Sequence, residues 1–199
     1  MTMARGVRTL AVLSALYAAA ACVQLKRPDA TPSRMIEPQL EEPAQADGTA
    51  TAASSSAAPI RLLDTQARGH IGRPVLHQQP GGELVEDPVW RWSSAPDRYL
   101  DSALRLELTT RPDVRLVDAA SAPSLAMTLL TWHLDAAGGS HLVGAVELQY
   151  IGPDGVVRLH VVGASEPVSE PLPGNLAAMA GRLLRRLASE SVTRITREQ

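Results

Sequence analysis

Three β-rich runs in the second half of the chain constrain its fold more than any other feature. Ser124 to Asp135, His141 to Ile151 and Val156 to Ala164 are dominated by Leu, Val, Ala and Thr, and are separated by "AAGGS" and "GPDG". Short Gly- and Asp-Gly-bearing connections of this kind close hairpins, so the runs predict an antiparallel meander. Alternation puts Ala126, Thr128, Leu130, Trp132 and Leu134 on one face of the first run, and Leu142, Gly144, Val146, Leu148 and Tyr150 on one face of the second. Both faces are fairly apolar. Helices should therefore cover one side of the sheet, while the other is partly covered or meets a partner.

The elements ahead of the meander read in the same way. "IRLLDTQA" (Ile60 to Ala67) predicts a first strand, and "RPVLHQ" (Arg73 to Gln78) and "LVEDPVWRW" (Leu84 to Trp92) predict short strands around a turn at Pro80, Gly81 and Gly82. Ser93 or Ser94 is expected to cap a helix that has Pro96 and Asp97 in its first turn and Leu100, Leu104 and Leu108 at helical spacing. Arg111, Pro112 and Asp113 stop it, and "VRLVD" (Val114 to Asp118) follows as a strand. After the proline-rich "SEPVSEPLPG" a second helix is expected over Asn175 to Thr196. Its apolar stripe is Leu176, Met179, Leu183, Leu187 and Ile195, flanked by Arg182, Arg185, Arg186 and Arg194. The order β-β-β-α-β-β-β-β-α predicts an α+β fold, a two-layer sandwich with two helices on a mainly antiparallel sheet.

Composition limits how such a domain is held together. The chain has one cysteine, no Phe and only 3% aromatic residues. No internal disulfide can form, so a Leu/Val/Ile/Ala core must supply the stability, and stacking platforms for sugars or bases are few. Of the 19 basic residues all but Lys26 are Arg, which leaves the folded domain no lysine nucleophile.

The single cysteine, Cys22, stands directly after an apolar run. Arg5 and Arg8 precede the uncharged dozen residues Leu10 to Ala21, the order of a secretory signal peptide. The run is well short of the roughly 20 residues a membrane-spanning helix needs. Small residues before a cysteine match a bacterial lipobox, in which the thiol receives a diacylglycerol and becomes the first residue of the mature chain; Ala19 stands where Leu is usual. Residues 1–21 are thus expected to be a lipoprotein signal peptide with Cys22 the lipidation site, anchoring the protein to a membrane. Without residues 1–21 the formal charge is −4, which excludes a nucleic-acid binder driven by overall positive charge. Residues 22–58, rich in Pro, Ala, Ser and Thr without apolar periodicity, are expected to form a disordered tether with a reach on the order of 30 Å. The folded domain is expected over 59–199.

Motifs for chemistry are missing. His70, His77, His133, His141 and His160 show no recognised ligand spacing. His133, His141 and His160 fall on the meander, where they could approach each other across strands, but isolated strand histidines more often sit at a surface. No G-x-S-x-G, S-x-x-K or phosphate-binding glycine loop occurs. Asp97, Asp101 and Glu107 are explained by a solvated helix face. No catalytic, cofactor-binding or metal site is expected.

Lipobox, tether, strands, helix, meander and final helix together resemble the ABC-type transport auxiliary lipoproteins, the PqiC-like lipoproteins associated with MCE-domain lipid transporters. The resemblance rests on "RPVLHQQPGGELVEDPVWRWSSAPDRYLDSALRLEL", with Trp92 and Pro96 ahead of Leu100, Leu104 and Leu108, and on "RPDVRLVD" and the strand pair turning at "GPDG". The chain departs from the pattern by one extra residue between Trp92 and Pro96, and by His77 where tyrosine is common. The resemblance implies a non-enzymatic accessory subunit of an ABC-type phospholipid transport system, with an MCE-domain protein as partner and a homo-oligomeric ring as one arrangement. Val23 after the cysteine is compatible with the periplasmic face of the outer membrane. A stand-alone ligand- or polymer-binding lipoprotein is the alternative, which a deep apolar pocket between sheet and helices would favour.

Overall fold

A computed structural model describes residues 32–40, 57–135, 141–168 and 173–197, omitting the side chains of 173 and 174. In chain order the elements are β1 (Arg34–Ile36), β2 (Ala58–Leu62), β3 (Gln66–Ala67), β4 (Pro74–Gln78), β5 (Leu84–Trp92), α1 (Pro96–Thr110), β6 (Val114–Leu116), β7 (Ser124–Asp135), β8 (His141–Ile151), β9 (Val157–Pro167) and α2 (Pro173–Thr196). The strands form one mixed, largely antiparallel sheet with both helices packed on it, the α+β architecture expected from the sequence.

The meander is its centre. β7 and β8 pair antiparallel from Ser124↔Ile151 to Asp135↔His141, and β8 and β9 from Ile151↔Val157 to His141↔Pro167. The second edge of β7 is shared by three short parallel strands: β2 against Ser124 and Leu125, β3 against Thr128 and Leu129, and β4 against Leu134 and Asp135. The single strand expected over Ile60 to Ala67 is thus two, β2 and β3, with Leu63 to Thr65 between them. β5 folds back antiparallel on β4, and β6 lies parallel to β2.

One prediction of side-chain facing is half right. In β8 Leu142, Val146, Leu148 and Tyr150 are buried as expected, but the buried side of β7 begins with Leu125, Met127 and Leu129 before continuing with Trp132 and Leu134. The register against β8 shifts between Leu129 and Thr131. A bulge adds one residue to one strand, so every side chain beyond it changes face. Ala126 and Thr128 therefore lie on the opposite side from Trp132.

Helix α1 starts differently from expectation. Its N-cap is Ala95, which offers no capping side chain; Pro96 opens the first turn and Asp97 faces the helix N-terminus. Ser93 and Ser94 instead engage Tyr99: its hydroxyl accepts from the Ser94 N–H at 2.8 Å and hydrogen-bonds with the Ser93 hydroxyl. Tyr99, Leu100, Ala103, Leu104 and Leu108 form the buried side of α1. On α2, Leu176, Met179, Leu183, Leu187 and Ile195 are buried as the periodicity predicts. Each such side chain contributes about 1.5–3 kcal/mol. Gly144 lets α2 approach the sheet: a Cβ there would stand 3.0 Å from Leu187 Cδ1 and 3.3 Å from Leu183 Cδ2.

Part of the stretch expected to be a disordered tether is ordered. β1 lies parallel to β5, with Arg34 opposite Trp90 and Ile36 opposite Trp92. Ile36 is 2% exposed, the Ser93 N–H donates to its carbonyl at 2.9 Å, and the Gln39 N–H donates to the Ala177 carbonyl of α2 at 3.0 Å. Residues 34–40 thus form a strap from the sheet edge to the helix. Local composition could not reveal it, because the backbone partners of Arg34, Ile36 and Gln39 lie more than fifty residues away.

Candidate functional site

Cys22 lies outside the described residues, so the site the structure displays is the surface of the domain behind it. Among the described residues no helix is long and apolar enough to cross a membrane.

The histidines are separated by the register. His160 stands opposite Leu148, on the side that faces the helices, whereas His133 is opposite Val143 and His141 opposite Asp135, on the other side. Among the described residues no group of three His, Cys, Asp or Glu side chains could hold a metal. His133 is 9% exposed. Burial pushes its pKa below the ordinary histidine value; Asp135 opposes this and His70 adds to it.

His77 belongs to a local polar lock at the β4–β5 hairpin. Its Nε2 lies 2.9 Å from Asp87 Oδ2, while Asp87 Oδ1 accepts from the Val89 N–H at 2.8 Å and the Trp90 N–H at 2.7 Å. Burial alone would raise the Asp87 carboxyl, but these amide donors and the His77 ring outweigh it and hold its pKa below the usual carboxylate value. The lock shapes the strand that receives the strap.

Two of the α2 arginines engage nearby acids. Arg182 reaches Glu166 at 3.4 Å and Arg186 reaches Glu190 at 2.9 Å; both arginines are largely exposed, so each pair contributes little. Leu142, Leu148, Leu183 and Leu187 fill the layer between sheet and helices and are fully buried, so the apolar volume a lipid or drug-sized ligand would need there is occupied by the core. A cleft of about 440 Å³ opens elsewhere, beside the β8–β9 turn, among Ala58, Pro59, Pro123, Tyr150, Asp154 and Arg158.

What remains exposed is the sheet side away from the helices, toward β9. Leu159 and Val161 are 62% and 61% exposed, and Val157 is 49% exposed. Among the described residues β9 pairs only with β8, so its outer edge is open. A long open edge carrying large apolar side chains is a site for protein contact. The second-run alternation hinted at this surface; the edge position of β9 was not legible.

No family model matches the chain. One curated protein, argininosuccinate synthase from Thiobacillus denitrificans, is 27% identical over 133 residues, 60% of this chain and 31% of that protein, so the chain spans about a third of the length of its curated relative. Two solved structures share the fold. Protein XCC0632 from Xanthomonas campestris, assigned to the family model DUF330, superposes with a TM-score of 0.66 at 19% identity, over 83% of this chain and 98% of that one. A crystal structure of an uncharacterized protein superposes with a TM-score of 0.59 at 16% identity, over 84% of this chain and 98% of the other. The α+β sandwich is therefore an arrangement found in other proteins, and covers nearly the full length of those two.

Proposed function

We propose that the protein is a lipid-anchored envelope lipoprotein that acts as a non-catalytic accessory subunit of an MCE/ABC-type phospholipid transport system, at the periplasmic face of the outer membrane. The observation that carries the reading is Cys22, the single thiol of the chain, placed directly behind a short apolar leader. A diacylglycerol plus an N-acyl chain on that thiol exceeds the two hydrophobic signals that stable anchoring requires. The domain behind it supports a docking role: its leucine core is buried, Arg182 and Arg186 pair with nearby acids, and an apolar sheet face is exposed. The MCE-domain protein is proposed as partner from the sequence resemblance. A stand-alone ligand-binding lipoprotein is less well supported, because the layer between helices and sheet is closed by leucines.

The strap sharpens the geometry of anchoring. Docking begins at Arg34 rather than at the end of a long tether, so Arg34 stands twelve positions after Cys22 along the chain. Fully extended, that stretch spans at most about 40 Å. The domain would then work close to the membrane surface.

Two measurements test the reading together. Metabolic labelling with a palmitate analogue should mark the wild-type chain and fail on Cys22→Ala, and mild-detergent purification from native membranes should recover an MCE or permease subunit. Labelling that survives Cys22→Ala refutes the anchor; recovery of the lipoprotein alone refutes the accessory role.

A further inference from the structure

The open edge of β9 has a definite hydrogen-bonding polarity. The Gly152 N–H donates to the Val156 carbonyl at 3.1 Å, which makes that pair hydrogen-bonded across the β8–β9 hairpin. In an antiparallel ladder bonded and non-bonded pairs alternate. The even-numbered residues of β9 therefore bond to β8, and the odd-numbered ones, Val157 to Ser165, turn their N–H and C=O groups to the free edge. Those same residues place Val157, Leu159 and Val161 on the exposed side of the sheet.

We infer that β9 pairs antiparallel with β9 of a second copy of this chain about a two-fold axis at Val162, giving a dimer whose sheet runs continuously through both subunits. Charge selects this register. With Val162 on the axis, Arg158 of each copy stands opposite Glu166 of the other, in a non-bonded pair where side chains approach closest. Within one chain Arg158 lies 3.4 Å from Asp154 and Glu166 lies 3.4 Å from Arg182. The two intermolecular contacts would thus join these into alternating rows Asp154, Arg158, Glu166, Arg182. An axis at Val161 would put Arg158 opposite Ala164, and one at Gly163 would put it opposite Val168, with no charge match in either.

Gly163 adds a second argument. A Cβ at Gly163 would meet nothing closer than 3.8 Å, so packing within the chain does not demand glycine there. A glycine inside a strand costs stability and commonly marks a close approach by another backbone or side chain. In the inferred register Gly163 faces the bulky Val161 of the second copy. Such a contact is isologous and closes on itself, so it makes dimers rather than open chains. It does not depend on the transport reading, because its partner is the same protein.

The test uses the full chain carrying Cys22→Ser, which leaves introduced thiols as the only ones. Arg158→Cys with Glu166→Cys should give a disulfide-linked dimer on mild oxidation, and neither single cysteine variant should do so efficiently. In sedimentation at high micromolar concentration in non-ionic detergent, Arg158→Glu or Glu166→Arg alone should weaken the dimer roughly tenfold or more through like-charge contacts, and the two together should restore it. Val161→Lys should weaken it while leaving the thermal melt of the monomer unchanged. A strictly monomeric chain overturns the inference. So does a dimer that forms no cross-link and ignores Arg158→Glu.

Discussion

The carbonyl of Gln39 occupies the place beside α2 where any side chain at position 181 would have to go. A Cβ built on Gly181 falls inside the van der Waals envelope of that carbonyl, and even the Gln39 nitrogen would be only 3.3 Å away. Helix interiors disfavour glycine by about 1 kcal/mol relative to alanine, so Gly181 is kept against its propensity by the strap.

Gly181→Ala should therefore lift the strap while α2 remains helical. The Gln39 amide, which donates to the Ala177 carbonyl, should exchange with solvent at least tenfold faster, whereas the Leu183 amide keeps its protection. Ile36→Ala should produce the same local signature and cost about 2–4 kcal/mol of stability. Unchanged exchange at Gln39 in Gly181→Ala would show that the strap is not seated by this contact.

Trp92 and Trp132 meet edge to face, with ring centroids 5.8 Å apart and planes at 62°. Both are essentially buried, and neither indole N–H has a hydrogen-bond partner. Trp132→Ala should cost about 3–5 kcal/mol in urea unfolding. Trp132→Phe should cost much less, because it keeps an aromatic edge contact and removes a buried donor that carries its own desolvation penalty.

His133 predicts a pH dependence. Burial, its largest cause, lowers its pKa below the ordinary value of 6.5, so the unfolded chain binds the proton more readily than the folded one. Stability is then complete above the unfolded value and declines as pH falls from about 6.5 through the lower folded value. His133→Gln should flatten the fall in melting temperature between pH 7 and pH 5. A slope identical to wild type would assign that dependence to other groups.

Gly144 should tolerate little enlargement. A Cβ at this position would sit 3.2 Å from Trp132 Cε3 as well as against the two leucines of α2. Gly144→Val should destabilise the domain by about 1–3 kcal/mol through overpacking. By contrast Gly163→Ala, whose Cβ would make only ordinary contacts at 3.8 Å or more, should leave monomer stability nearly unchanged or slightly raised, which a pair of thermal melts will distinguish.

Local sequence determined the elements with local causes. Alternation and Gly-bearing turns are properties of neighbouring residues, so β5, β7 and β8 begin and end where the pattern does, and the leucine spacings of α1 and α2 foretell their buried sides. Tertiary structure decided whatever depends on partners distant in sequence. The bulge near Leu130 exists only in the register between β7 and β8, and it reversed the facing of Ala126 and Thr128. Neither Ser93 nor Ser94 caps α1 as expected, because the helix starts behind Ala95 and both serines are drawn to Tyr99. Arg34 to Gln39 looked like tether because three strand residues carry too little pattern; they are held by Trp90, Ser93 and Ala177, which only folding brings near. The edge position of β9 likewise follows from strand order, which pairing energies across the whole sheet select and which no short stretch of sequence encodes.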